Sequence, residues 1–261
     1  MNLTADTTTP PSLRRVLVFL ALGCVGVLAA HSLDLIVYGA FHNHEAAANG
    51  LPKMFRSAGY IPVWILVAGA LICIDTAKWK NLGLAGVLQR GLPILLTVVL
   101  AGVITEGTKC MIHRGRPPEV GWDGHYPFRP FSTGFFNTDS VGMPSSHVGV
   151  AFGAAWILMR LYPRGIVIWI LLGVGCAWER LLDRAHFFSD LVGGTMAGFA
   201  AAWLVWHGWR HLFGFRDWDS SSPIENQVPP VTVEMIRTIN PHAATFPDRR
   251  LAKSGHAELR D

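Results

Sequence analysis

The sequence predicts an all-α protein, an integral membrane bundle of about six transmembrane helices, and three observations carry that expectation. The 261 residues are 51% hydrophobic and only 15% charged, whereas soluble domains carry about 25% charged residues. The apolar residues gather in runs that approach the ~20 residues a membrane span needs. The charge that remains collects at the ends of those runs rather than inside them.

The elements follow in order. Residues 1–14 are a polar, Pro- and Thr-rich segment that ends on Arg14. Arg15 then leads into the apolar run Val16–Ala30, which resumes after Asp34 and extends to Tyr38. Two arginines ahead of a short apolar stretch also describe a cleaved leader, but the resumption after Asp34 favours a retained helix. The second run is Tyr60–Ile74; the third starts between Leu84 and Gly91 and reaches Ile104. The fourth follows His147 and ends near Leu161, the fifth is Ile166–Trp178, and the sixth is Leu191–Trp206. Residues 15–212 therefore form one six-span domain, and residues 213–261 form a polar cytoplasmic tail with the composition of a disordered segment.

Basic residues in short loops set the expected orientation. Arg14, Arg15, Lys78, Lys80, Arg90, Arg160, Arg164, Arg210 and Arg216 fall on one side and place both termini in the cytoplasm. The formal net charge of +4 is too small and too scattered for a nucleic-acid partner. The 4 cysteines form no CxxC pair, which excludes a disulfide framework or a zinc knuckle.

Three polar clusters interrupt this pattern. Lys109 to Pro117 follows span 3, Pro144-Ser145-Ser146-His147 opens span 4, and Arg180 to Asp190 joins spans 5 and 6. Two crossings separate the loops that hold them, so all three face the same, extracytoplasmic side. Lys109, Arg116 and Arg180 are fixed cations suited to a dianionic phosphate. His186 and Asp190 stand at i, i+4 and share a face if helix has begun there. A carboxylate on Nδ1–H leaves Nε2 with a nucleophilic lone pair. His147 is a second imidazole, available as a general acid. Ser145 and Ser146 begin a helix whose free N–H groups also favour an anion.

These residues resemble the three-part signature of the type 2 phosphatidic acid phosphatase superfamily, K-x6-RP, PSGH and SR-x5-H-x3-D. The chain gives Lys109-x6-Arg116-Pro117, Pro144-Ser145-Ser146-His147 and Arg180-x5-His186-x3-Asp190. The resemblance covers residues 105–205. It implies a membrane phosphatase acting on a lipid phosphate, with no metal and no cofactor. It implies that His186 attacks phosphorus, that Asp190 orients His186, and that His147 protonates the leaving group. Lys109, Arg116, Arg180, Ser145 and Ser146 would hold the phosphate oxygens. Phosphatidate, phosphatidylglycerophosphate, polyprenyl pyrophosphate and lipid A phosphates are the substrate types it admits. The soluble vanadium haloperoxidases share the signature, but six spans point to the membrane branch.

Ser146 stands where the family has glycine, and Glu179 stands where it has serine. Glu179 adds negative charge beside Arg180, and pairing with Arg184 or Lys109 would absorb it. Glu106, inside an apolar run, is expected to pair with Lys109. Arg114, Arg184, His113 and His125 are expected to be solvated. The loop 118–143 carries Trp122, Tyr126, Phe128, Phe131, Phe135 and Phe136 and is expected to lie over the site. Phosphotransfer to an acceptor other than water, and lipid-phosphate binding without turnover, remain alternatives. A transporter would spread charge along several spans, and here it gathers at one face.

Overall fold

A computed structural model of the chain describes residues 13–41, 47, 50–78 and 84–213. Residues 1–12 and 214–261, which hold most of the polar N-terminal segment and the tail, lie outside the described residues, as do Lys80 and Arg216.

The apolar runs become helices α1 (Leu13–Ala40), α3 (Ile61–Lys78), α5 (Gly91–Ile112), α6 (Ser146–Leu161), α7 (Ile166–Leu182) and α8 (Phe188–Phe213), with the short α2 (Gly50–Arg56) and α4 (Leu84–Leu88) between them. Among the described residues there is no β-strand. Pro62 and Pro93 fall in the first turns of α3 and α5, where a missing N–H leaves no intrahelical bond unmade. Pro163 follows the end of α6, where it blocks continuation of the helix.

Among the described residues, four helical stretches are long and apolar enough to cross a membrane: Ala21–Ala40, Gly91–Ile112, Pro163–Leu182 and Phe188–Leu212. A fifth crossing exists if Gly50–Gly59 and Ile61–Ala77, bent by 72°, act as one span. The expected count of six depends on α6, and its 16 residues extend only about 24 Å at 1.5 Å per residue. That is short of the ~30 Å hydrocarbon core. The chain thus has the make-up of a multi-pass membrane protein with four or five full-length spans and one short central helix.

Helix α6 is the hub, packed against α5, α7 and α8. Its core face, Val150, Ala151, Ala154, Ile157 and Leu158, meets Ile94 and Val98 of α5 and Cys176 of α7. Contact with α8 runs along small residues. A Cβ on Gly194 would sit 2.5 Å from the Ser145 carbonyl oxygen, and one on Gly198 would collide with the Gly149 carbonyl. Small residues four apart let two backbones approach closely where lipid offers no hydrophobic driving force. By contrast α1 presents Leu22, Val25, Leu28, Leu35 and Ile36 outward, as a lipid-facing helix would.

Successive helices run in opposite directions. One end of the bundle gathers Asp34 of α1, Tyr60 before α3, Lys109, His147, Arg180 and Asp190. The other end holds the buried Asp75, to which the Arg90 Nε donates at 2.8 Å, together with the turn at Pro163–Gly165.

Candidate active site

Helix α5 ends at Ile112, and the next residue, His113, adopts a left-handed conformation (φ 52°) while its N–H donates to the Lys109 carbonyl at 3.0 Å. This stop turns the chain into the extended segment 114–116, which the long loop holds from both sides. The Gly115 N–H donates to Pro127 O at 2.6 Å, the Arg116 N–H to Ser140 O at 3.0 Å, and the Gly142 N–H to Arg114 O at 2.7 Å. Arg114 and Arg116, two apart on this segment, are fixed by backbone bonds before their side chains find partners.

The three clusters converge. The first meets the second at Glu106, whose Oε1 accepts from Lys109 Nζ at 2.8 Å and from Ser146 Oγ at 2.5 Å. The second meets the third where the Ser145 N–H donates to the Asp190 carbonyl at 3.0 Å. Packing there is close enough that a Cβ on Gly142 would lie 2.9 Å from Asp190 Oδ2. The first meets the third where Arg114 Nη2 donates to Asp190 Oδ1.

His186 and Asp190 bracket the start of α8, as the i, i+4 spacing anticipates. Their closest approach is 3.5 Å, from Nδ1 to Oδ2, at ion-pair distance. Oδ2 also accepts the Phe187 N–H at 2.9 Å, so Asp190 caps the helix it opens. Burial holds the His186 imidazole below its ordinary pKa; Asp190 opposes this, while Arg116 and Arg180 push the same way as burial. The residue is thus kept neutral, with a lone pair on one ring nitrogen.

His147 lies in the first turn of α6, with the cations Arg180, Arg56 and Lys109 and the imidazole of His186 as neighbours. Its ring meets Tyr60 edge-on at 4.9 Å, and its buried Nε2 has no hydrogen-bond partner among the described residues. Ser145 is fully buried and precedes α6 without capping it; its Oγ likewise has no partner among the described residues. Arg116 is exposed, and its guanidinium makes no ion pair among the described residues. His186 Nδ1 and Arg114 Nε are also buried without a hydrogen-bond partner among the described residues.

Arg180 is already engaged. Its Nε and Nη2 each donate at 2.5 Å to the two oxygens of Glu179, which is completely buried. Arg56 of α2 approaches the same carboxylate at 3.9 Å. Glu179 therefore pairs with Arg180 and Arg56, and not with Arg184 or Lys109 as the sequence led us to expect. Its immediate neighbour on α7 wins because the fork of a guanidinium can chelate a carboxylate. The expected Glu106–Lys109 pair is present, with Ser146 as a third member.

Three other expectations are corrected. Arg114 is 3% exposed, not solvated, and is bound to Asp190 and Ser189. His113 is 1% exposed, and its two ring nitrogens lie 3.3 Å from the carbonyls of Arg129 and Phe135. Arg184 stacks 4.5 Å over Tyr38 and donates to the Glu119 carbonyl. His125 is solvent-exposed, as expected, 3.4 Å from Asp123. The long loop packs on the site end, with Trp122 and Tyr126 at 4.6 and 4.9 Å from Phe187, while Phe128, Phe131 and Phe136 are exposed.

Sequence reasoning passed over Arg114, Asp34 and Ser189. Asp34 carried a signal, because an acid interrupting an apolar run is a functional candidate by default. Arg114 carried another, being two residues from Arg116 on an extended segment.

Residues 90–213 match the model of the PAP2 superfamily. A protein of Rhizobium johnstonii named lipid A 1-phosphatase is 35% identical over 111 residues, which is 41% of this chain and 43% of that protein. A lipid A 1-phosphatase of Rhizobium etli is 35% identical over 111 residues, 41% of this chain and 45% of that protein. The chain thus spans less than half the length of these curated relatives. No solved structure matches the chain.

Proposed function

From the match of residues 90–213 to the PAP2 superfamily, we propose that the protein is a member of that superfamily, a membrane phosphatase that hydrolyses a lipid phosphate through a phosphohistidine. The observation that carries this reading is the convergence of His186, His147, Arg180, Arg116 and Lys109 on one end of the bundle.

In this reading Nε2 of His186 attacks phosphorus as the lipid alkoxide departs, and His147 gives the alkoxide its proton. The P–O bond to the lipid breaks as the P–N bond forms. Water then attacks the phosphohistidine, His147 takes the water's proton, and phosphate and neutral His186 are released. Asp190 orients the imidazole from the Nδ1 side. Arg116, Lys109, Arg180, the Ser145 hydroxyl and the backbone N–H of Ser146 meet the charge on the equatorial oxygens. The unpartnered Nε2 of His147 and Oγ of Ser145 are the atoms left over for substrate. Fixed cations take the role a metal plays elsewhere; among the described residues, no three His, Cys, Asp or Glu side chains gather as a metal cage requires.

The site faces the extracytoplasmic side in this reading, because Arg90, Arg160, Arg164 and Arg210 lie toward the opposite end of the helices. The names of the relatives put lipid A 1-phosphate at the head of the substrate panel, before phosphatidate, phosphatidylglycerophosphate and polyprenyl pyrophosphate. Transfer to a sugar or inositol hydroxyl would use the same nucleophile and differ only in the acceptor.

The test is phosphate release from that panel by purified protein in detergent, with His186→Ala beside it and a chelator in parallel. Release should fall to background in the variant and stay unchanged with chelator. Full activity in His186→Ala removes the phosphohistidine, and strong inhibition by the chelator removes the metal-free reading.

A further inference from the structure

Arg114 and Asp34 are buried charges with no part in the chemistry above. Arg114 Nη2 donates both to Asp190 Oδ1 and, at 2.7 Å, to Ser189 Oγ. Its guanidinium packs on the paired rings of Tyr126, at 4.7 Å, and Phe187, at 5.3 Å, which themselves meet at 4.9 Å. Ser189 is held in turn by Asp34 of α1. The Ser189 N–H donates to Oδ1 at 2.8 Å and its hydroxyl to Oδ2 at 2.5 Å. Tyr126 OH donates to the same Oδ2 at 2.9 Å. Arg114, Ser189, Asp190 and Asp34 are each no more than 3% exposed. A solvated cation needs none of this, and a buried guanidinium persists only where its charge is met.

From this arrangement we infer that Arg114 is a positioning residue for the His186–Asp190 pair. It holds Asp190 by Oδ1, which leaves Oδ2 to the Phe187 N–H and the Nδ1 edge of His186, and Ser189 with Asp34 fixes the angle at which it does so. Arg114 is not a phosphate ligand, because it is buried against two aromatic rings and its Nη2 is committed to Asp190 and Ser189. It acts on His186 at one remove. A carboxylate shared with a guanidinium is a weaker acceptor for imidazole N–H, in keeping with the 3.5 Å separation of Nδ1 and Oδ2.

The charged groups facing His186 are Asp190 from α8, Arg180 from α7, His147 from α6 and Arg116 from the extended segment, with Arg184 lining the same cavity. Loss of Arg114 leaves Asp190 undivided for His186 and removes a nearby cation. Both changes favour the imidazolium, so His186 becomes neutral only at higher pH. The acid limb of the rate profile therefore moves up.

The inference rests on the roles proposed for His186 and Asp190. The experiment is kcat and KM against pH for the wild-type protein, Arg114→Gln, Arg114→Lys and His186→Ala, on the best lipid phosphate of the panel. In Arg114→Gln the acid limb should rise by roughly one pH unit, with kcat at neutral pH down about tenfold and KM unchanged. Lysine keeps the charge without the fork, so Arg114→Lys should bring the limb partway back. If Arg114→Gln does not fold, Arg114→Lys carries the test through a smaller upward shift at constant KM. An unmoved limb in the folded variant overturns the inference, and so does a loss confined to KM, which would make Arg114 a phosphate contact. An active His186→Ala protein would instead remove the reading on which the inference stands.

Discussion

At the scale of single residues, the site balances two of the three cations proposed to bind phosphate against a carboxylate. Lys109 has Glu106, and Arg180 has Glu179. A carboxylate chelating Arg180 at 2.5 Å competes with an incoming phosphate for the same donors, and in a buried setting that competition is poorly screened. Replacing Glu179 with serine should therefore tighten substrate binding. We expect KM to fall several-fold and inhibition by product phosphate to strengthen, at the net hydrogen-bond scale of about 0.5–1.5 kcal/mol. Steady-state kinetics with added phosphate read this directly. A rise in KM would mean that Glu179 serves chiefly to aim Arg180. The identity of these residues was legible because motif spacing is local: four residues along a helix bring His186 to Asp190 whatever else the chain does. The partners were not legible. Which carboxylate Arg180 takes, and whether Arg114 points to water or to Asp190, depends on helix rotation and depth, which no spacing encodes.

At the scale of elements, hydropathy located all six apolar helices, since lipid forces every backbone polar group into an internal hydrogen bond. It did not set their lengths. Val16–Ala30 marks only the most apolar part of a helix that runs to Ala40, because polar flanks stay helical where a neighbour satisfies them, as Ser189 and Tyr126 do for Asp34. Nor did it reveal that α6 and α8 touch through Gly149, Gly153, Gly194 and Gly198, a contact that needs knowledge of which faces meet. This contact predicts that Gly198→Leu will be among the most damaging substitutions far from the site. Overpacking costs about 1–3 kcal/mol, and here the added atoms meet backbone that cannot rotate away. A folded fraction in detergent, followed by fluorescence-detected size exclusion on heating, should show a clear loss of thermal stability, and an unchanged melting profile would mean the two helices separate freely.

At the scale of the whole molecule, the α6 helix begins at Ser146 and covers only about four-fifths of a hydrocarbon core about 30 Å thick. If its far end keeps level with the turn at Pro163–Gly165, His147 and the groups around it sit beneath the outer membrane surface, among lipid headgroups. A substrate then need not leave its leaflet to react: its chains stay solvated by other lipids while the phosphate slides inward past the exposed phenylalanines of the long loop. The encounter becomes two-dimensional. In mixed micelles the rate should follow the surface mole fraction of substrate, falling as inert detergent is added at constant total substrate, and a rate that tracked bulk concentration alone would place the catalytic groups in open water.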